Sequence, residues 1–184
     1  MASSLQDFRS VAMESRKRTI SAKIGDIYVV ECAGGDRYFQ YVMDDSSQLG
    51  ANVIAVFAKK FPKGQSVDFL ALKGESVEFF AHVSISLGIK MKCWRRVTHE
   101  QVADHGAIRF RDTDDYGKPG VTCSNYWWMW EPNGPARQVG PIEGELRKSF
   151  IGVLMAPSNI VSRLETGRYS YAYPVPAGDG EYWE

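Results

Sequence analysis

The sequence predicts a mainly β domain, built as a strongly bent antiparallel sheet or barrel-like fold, with α+β as the alternative class. Three observations point there. From residue 24 onward, short runs of β-branched and aromatic residues alternate with clusters of Gly, Pro, Asn and Asp. Only residues 157 to 167 carry a clear helical period. Hydrophobic residues at 44% and aromatics at 12% of 184 positions are ample for one core without a disulfide or metal staple.

The elements follow in chain order. Residues 1 to 23 carry Arg9, Arg16, Lys17, Arg18 and Lys23 against Asp7 and Glu14, a net charge of +3. They are expected to form a poorly ordered tail or a short leading helix ahead of a single domain over 24–184. Ile27 to Cys32 and Arg37 to Met43 read as a hairpin whose turn, Ala33-Gly34-Gly35-Asp36, supplies the positive φ that tight connections need. Residues 52 to 61 continue as a largely buried strand ended by Pro62 and Gly64. A second hairpin is expected from residues 77–85 and 89–97, turning at Ser86-Leu87-Gly88. Residues 107–112, 136–140 and 149–155 read as further short strands. Helix 158–166 would start at Ser158 as N-cap, face inward with Ile160, Val161 and Leu164, and stop at Gly167. The end, "YSYAYPVPAGDGEYWE", reads as an extended aromatic strap.

Composition narrows the function classes. Acidic and basic residues balance at 22 each, so the chain has no global field for nucleic acid or anionic lipid. Cys32, Cys93 and Cys123 are widely spaced, odd in number and form no CxxC pair, which fits reduced thiols in the cytoplasm. No apolar run is long enough for a membrane span. Neither a glycine-rich phosphate cradle nor any cofactor motif is present, and no cofactor is expected.

Candidate sites are therefore recognition surfaces rather than chemistry. In "RDTDDYGKPG", Asp112, Asp114 and Gly117 fall at positions 1, 3 and 6 of a calcium loop. Tyr116 and Cys123 occupy positions where oxygen ligands are required, so no metal is expected. The loop instead reads as an acidic, Tyr-bearing rim of Asp112, Asp114, Asp115 and Tyr116. "CSNYWWMWEP" (123–132), read as a strand, sends Tyr126, Trp128 and Trp130 to the core. Trp127 and Met129 then lie on the opposite face, as anchors for a protein partner or as ground for the tyrosine strap.

Two alternatives carry other residues. Lys90, Lys92, Trp94 and Arg96 would share one strand face, the pattern of a single-stranded nucleic-acid binder. A small hydrolase would use Cys123 with one of His82, His99 or His105.

"IGDIYVVECAGGDRYFQYVM" resembles the opening hairpin of a family of bacterial polymorphic-toxin immunity proteins. "VSISLGIKMKCWRRV" resembles that family's glycine-then-tryptophan strand, with Trp94 at the tryptophan. The resemblance covers residues 24 to about 97. It implies a small, mainly β, non-enzymatic protein that binds and occludes a cognate toxin or effector domain. Near-zero net charge departs from the acidity expected of an inhibitor of a basic nuclease.

Overall fold

A computed structural model describes residues 21–178. The expected tail or helix over residues 1–23 and the last six residues of the strap therefore lie almost wholly outside the described residues.

The domain is mainly β. Strands β1 (Asp26–Cys32), β2 (Gly35–Asp45) and β3 (Ala51–Phe57) form a meander. A one-turn helix α1 (Phe69–Leu72) follows, its first amides capped by the Asp68 carboxylate at 3.0 and 3.2 Å. Then come β4 (Val77–Val83), helix α2 (Ile85–Lys90), β5 (Arg95–His99), β6 (Phe110–Asp112) and β7 (Cys123–Ser124). Strands β8 (Trp127–Trp130) and β9 (Arg137–Gly140), a 3₁₀ turn at Gly144–Lys148, β10 (Phe150–Ile151) and β11 (Leu154–Met155) lead to α3 (Pro157–Thr166) and β12 (Val175–Pro176).

These strands build a six-stranded sheet in the order β11-β4-β3-β2-β1-β5, a four-stranded sheet β10-β6-β8-β9, and the small pair β12-β7. Both larger sheets stay open. Most pairings are antiparallel, but β11 joins β4, β10 joins β6 and β12 joins β7 in parallel. The bend between sheets has a local cause. The predicted strand 149–155 is split at Gly152, so β10 belongs to one sheet and β11 to the other. A Cβ at Gly152 would meet the Trp130 ring at 2.2 Å, so only glycine lets the chain turn there.

The six-stranded sheet is covered on both faces. Tyr28, Val30, Phe39, Tyr41, Ile54 and Val56 enter the main cluster under α2 and α3, with Trp127 and Met129 of the second sheet. The opposite face is buried in two clusters. Val42, Val53, Ala55 and Phe80 meet Phe110 and Trp130, while Ile27, Val29 and Phe57 meet Phe61 and Leu72. Central strands buried on both faces read as continuous apolar runs, which is how "NVIAVF" reads.

Two expectations are corrected. The hairpin over 77–97 does not form: β4 and β5 stand in the same sheet with β3, β2 and β1 between them. Helix α2 makes the crossover. Ile85 and Ile89, four apart, turn toward the core, and a Cβ at Gly88 would strike the Trp94 ring at 2.0 Å. Trp94 closes the contact by donating its indole N–H to the Ile85 carbonyl at 3.1 Å. The N-cap of α3 is Ala156 rather than Ser158, because Pro157 takes the first helical position with its φ already set. Gly167, at φ 79°, ends the helix in the left-handed conformation as expected.

Candidate functional site

The loop between β6 and β8 is held by its own polar groups. Asp112 accepts from the Thr113 amide at 2.8 Å and from the Tyr173 hydroxyl at 2.9 Å. Burial pushes its carboxyl above the ordinary aspartate value despite these bonds. Thr113 is buried, its hydroxyl 2.9 Å from that of Ser124. Ser124 Oγ in turn donates to Asp115 at 2.7 Å and accepts the Tyr126 amide at 3.0 Å. Lys118 donates to the other Asp115 oxygen at 2.9 Å, and these hydrogen bonds hold Asp115 below its usual value. Asp114 accepts weakly from the Trp128 indole at 3.4 Å. The carboxylates that a calcium loop would offer are thus engaged within the protein. Among the described residues no cluster of His, Cys, Asp or Glu is arranged to hold a metal.

The tyrosine strap completes the loop. Tyr116, 42% exposed, sets its ring 5.1 Å from Tyr173 and 5.9 Å from Tyr171. Tyr173 reaches further, its ring 6.3 Å from Trp127. Burial raises the Tyr171 and Tyr173 hydroxyls far above the ordinary tyrosine value, so both stay protonated.

This geometry corrects the reading of the tryptophan segment. Trp127 is fully buried, donates to the Ser124 carbonyl at 3.0 Å and lies under the strap; Met129 is 7% exposed. Neither stands on an open face. The residue expected in the core, Tyr126, is 64% exposed instead, and Trp128 is half-buried. Strand β8 begins at Trp127, separated from β7 by a bend at Asn125, so alternation cannot be run back through Tyr126. Trp130 keeps its place in a core, the second one. Of the expected rim, Asp114 and Tyr116 are exposed, while Asp112 and Asp115 are half-buried behind them. What sequence reasoning missed was Tyr126, which it assigned to the core and which is exposed.

The other candidates are scattered. Lys90 ends α2, Lys92 has a left-handed φ of 59°, Trp94 is buried, and Arg96 pairs with Asp26 at 2.9 Å on β5. The four share no strand face, and Trp94 has no ring surface open to a base. Cys123 is exposed on β7. His82 bonds Asp45 at 3.0 Å, His99 bonds Asp26 at 3.0 Å, and His105 lies against Phe80.

No family model, curated protein or solved structure matches the chain. No helix among the described residues is long and apolar enough to cross a membrane.

Proposed function

We propose that this chain is a non-enzymatic inhibitory binding protein of the immunity type, acting in the bacterial cytoplasm by occluding a cognate toxin or effector domain. The observation that carries the reading is the pre-ordered loop 112–126, which presents Tyr116, Tyr126 and Asp114 to solvent over a hydrogen-bonded base. Tyrosine combines large contact area with few rotatable bonds and is enriched among residues that dominate binding energy. A loop already held by Thr113, Ser124 and Tyr173 loses little entropy when a partner docks. Asp114 contributes mainly to encounter rate and orientation. The resemblance of residues 24–97 to immunity proteins adds support from a separate part of the chain. In this reading Tyr116 and Tyr126 replace Trp127 and Met129 as anchors, since the latter two serve the core.

The test is co-expression with a candidate toxin domain, sought in the reading frames that adjoin this one. A stoichiometric complex and restored growth are expected. Tyr116→Ala with Tyr126→Ala should weaken the complex by about 30-fold or more, as loss of a binding hot spot does. Unchanged affinity in that double variant would remove the loop from the interface, and no complex at all would remove the reading.

A further inference from the structure

The connection from β5 to β6 has no helix or strand of its own and crosses the second apolar cluster. Hydrogen bonds fix both of its ends. At one end the Glu100 amide donates to the Gly25 carbonyl at 2.9 Å, and the Glu100 carbonyl accepts from the Gln40 side chain at 2.9 Å. At the other end the Arg109 carbonyl accepts from the Phe150 amide at 2.8 Å. Among the described residues, residues 101–108 make one hydrogen bond, from the Gly106 amide to Asp104 at 2.9 Å, and it is internal to the segment. What fastens the segment to the sheet is therefore apolar contact. Val102 and Ile108 join the cluster of Phe80, Phe110 and Trp130, and the His105 ring stands 5.3 Å from that of Phe80, edge to face. Two fixed ends with few polar ties between them are the anatomy of a hinged flap.

His105 is the part of this contact that can change. Its Nε2 is buried and has no hydrogen-bond partner among the described residues. A neutral imidazole tolerates this by carrying its proton on Nδ1 and leaving Nε2 bare. The imidazolium does not, because both nitrogens then carry protons, and a buried cationic N–H without an acceptor is costly. The charged groups on neighbouring elements are already engaged. On β4, two residues to either side of Phe80, Glu78 pairs with Arg37 and His82 with Asp45. Next to β10, Lys148 pairs with Glu145, and at the end of the segment Arg109 pairs with Glu131. Glu100 and Asp104 are the segment's own acids. Burial holds the His105 imidazole below the ordinary histidine value, and Asp104 opposes this only in part.

We propose that residues 101–108 are a flap latched by His105 against Phe80, and that a proton taken up by His105 releases it. Release withdraws Val102 and Ile108 as well and uncovers Phe80, whose ring packs 5.1 Å from that of Phe150. Glu100 and Arg109 stay bonded, so the strands on either side keep their places. The open ring titrates at the ordinary value of about 6.5 and the closed ring below it. Above that pH the latch is indifferent to acid; below it the open form takes up the proton first and gains population. The flap is independent of the surface proposed to bind a toxin, since it lies on the cluster of Phe110 and Trp130, whereas Tyr173 and Trp127 beneath the loop 112–126 belong to the main cluster.

Hydrogen exchange read by mass spectrometry on the segment 101–108, corrected for the intrinsic pH dependence of exchange, tests it. Protection there should be lower than in β3 at every pH, because the flap opens without unfolding the sheet. Between pH 7.5 and 5.5 it should fall by about 5-fold or more. His105→Phe keeps a ring on Phe80 without a site for a proton and should abolish that fall. His105→Gln should be less protected at both pH values and equally unresponsive. In a His82→Gln background, which removes the other titrating histidine of this cluster, the fall should persist. A fall that survives both His105 variants would overturn the proposal, as would one that vanishes in the His82→Gln background. Protection equal to that of β3 would overturn it too, since the segment would then open only when the whole protein unfolds.

Discussion

Trp130 donates its indole N–H to the Asp45 carboxylate at 3.0 Å, joining the second sheet to the first at a fully buried acid. The same carboxylate accepts from His82 at 3.0 Å, from the Asn133 amide at 3.1 Å and from the Ser47 hydroxyl at 3.2 Å. One side chain at the end of β2 thus holds β4, β8 and the turn after β8. The Asp45→Ala variant should lose about 3–5 kcal/mol, the cost of stranding several buried donors at once. Urea unfolding at neutral pH measures it. Asp44→Ala on the neighbouring, exposed side chain is the control and should cost clearly less.

The same cluster sets a pH dependence. Burial lowers the His82 pKa more than Asp45 raises it, so the folded protein keeps the imidazole neutral. Burial by itself would raise the Asp45 carboxyl, but hydrogen bonds from Asn133, Trp130 and His82 outweigh it and hold the group below its ordinary value. Both shifts are depressions, so in both cases the unfolded chain takes up protons first. Stability should therefore be at its plateau above about pH 6.5, fall as His82 titrates in the unfolded chain, and fall again below about pH 4 with Asp45. Urea midpoints between pH 7.5 and 3.5 will show it. A His82→Gln variant should flatten the upper part of the curve.

Gly152→Ala tests the turn between sheets. Its Cβ would meet the Trp130 ring at 2.2 Å and the Arg111 carbonyl at 2.9 Å, and neither neighbour is free to move. Overpacking there should cost about 1–3 kcal/mol, read as a lowered melting temperature. Alanine at Gly140, where a Cβ meets nothing within 4 Å, separates this contact from simple loss of glycine. Gly140 has φ 68°, so its penalty is backbone strain alone.

Neighbouring aromatics should behave in opposite ways. Trp127→Ala removes a fully buried indole under Tyr173 and should cost about 3–5 kcal/mol of stability. Tyr126→Ala removes a mostly exposed ring and should change stability by about 0.5 kcal/mol or less, while weakening partner binding. Denaturation and titration of the same two variants read both effects.

The mainly β class, the first hairpin, the C-terminal helix and its Gly167 stop were legible because each rests on local chemistry. β-branched runs, a Gly-Gly turn and an i, i+3, i+4 apolar face need only near neighbours in the chain. The loop 112–126 was legible as acidic and aromatic for the same reason. Tertiary structure alone decided the rest. Ile85 and Ile89 form a helix because Trp94 and the sheet beneath give them a surface to cover, a condition that alternation along residues 89–97 does not express. The faces of "YWWMW" depend on where strand geometry begins, and Ser124, Thr113 and Tyr173 set that point from three separate segments. Asp45 and His82, 37 residues apart, carry no mark of their contact in the sequence. Periodicity reports what each side chain prefers; only the packing of distant segments determines which preference is met.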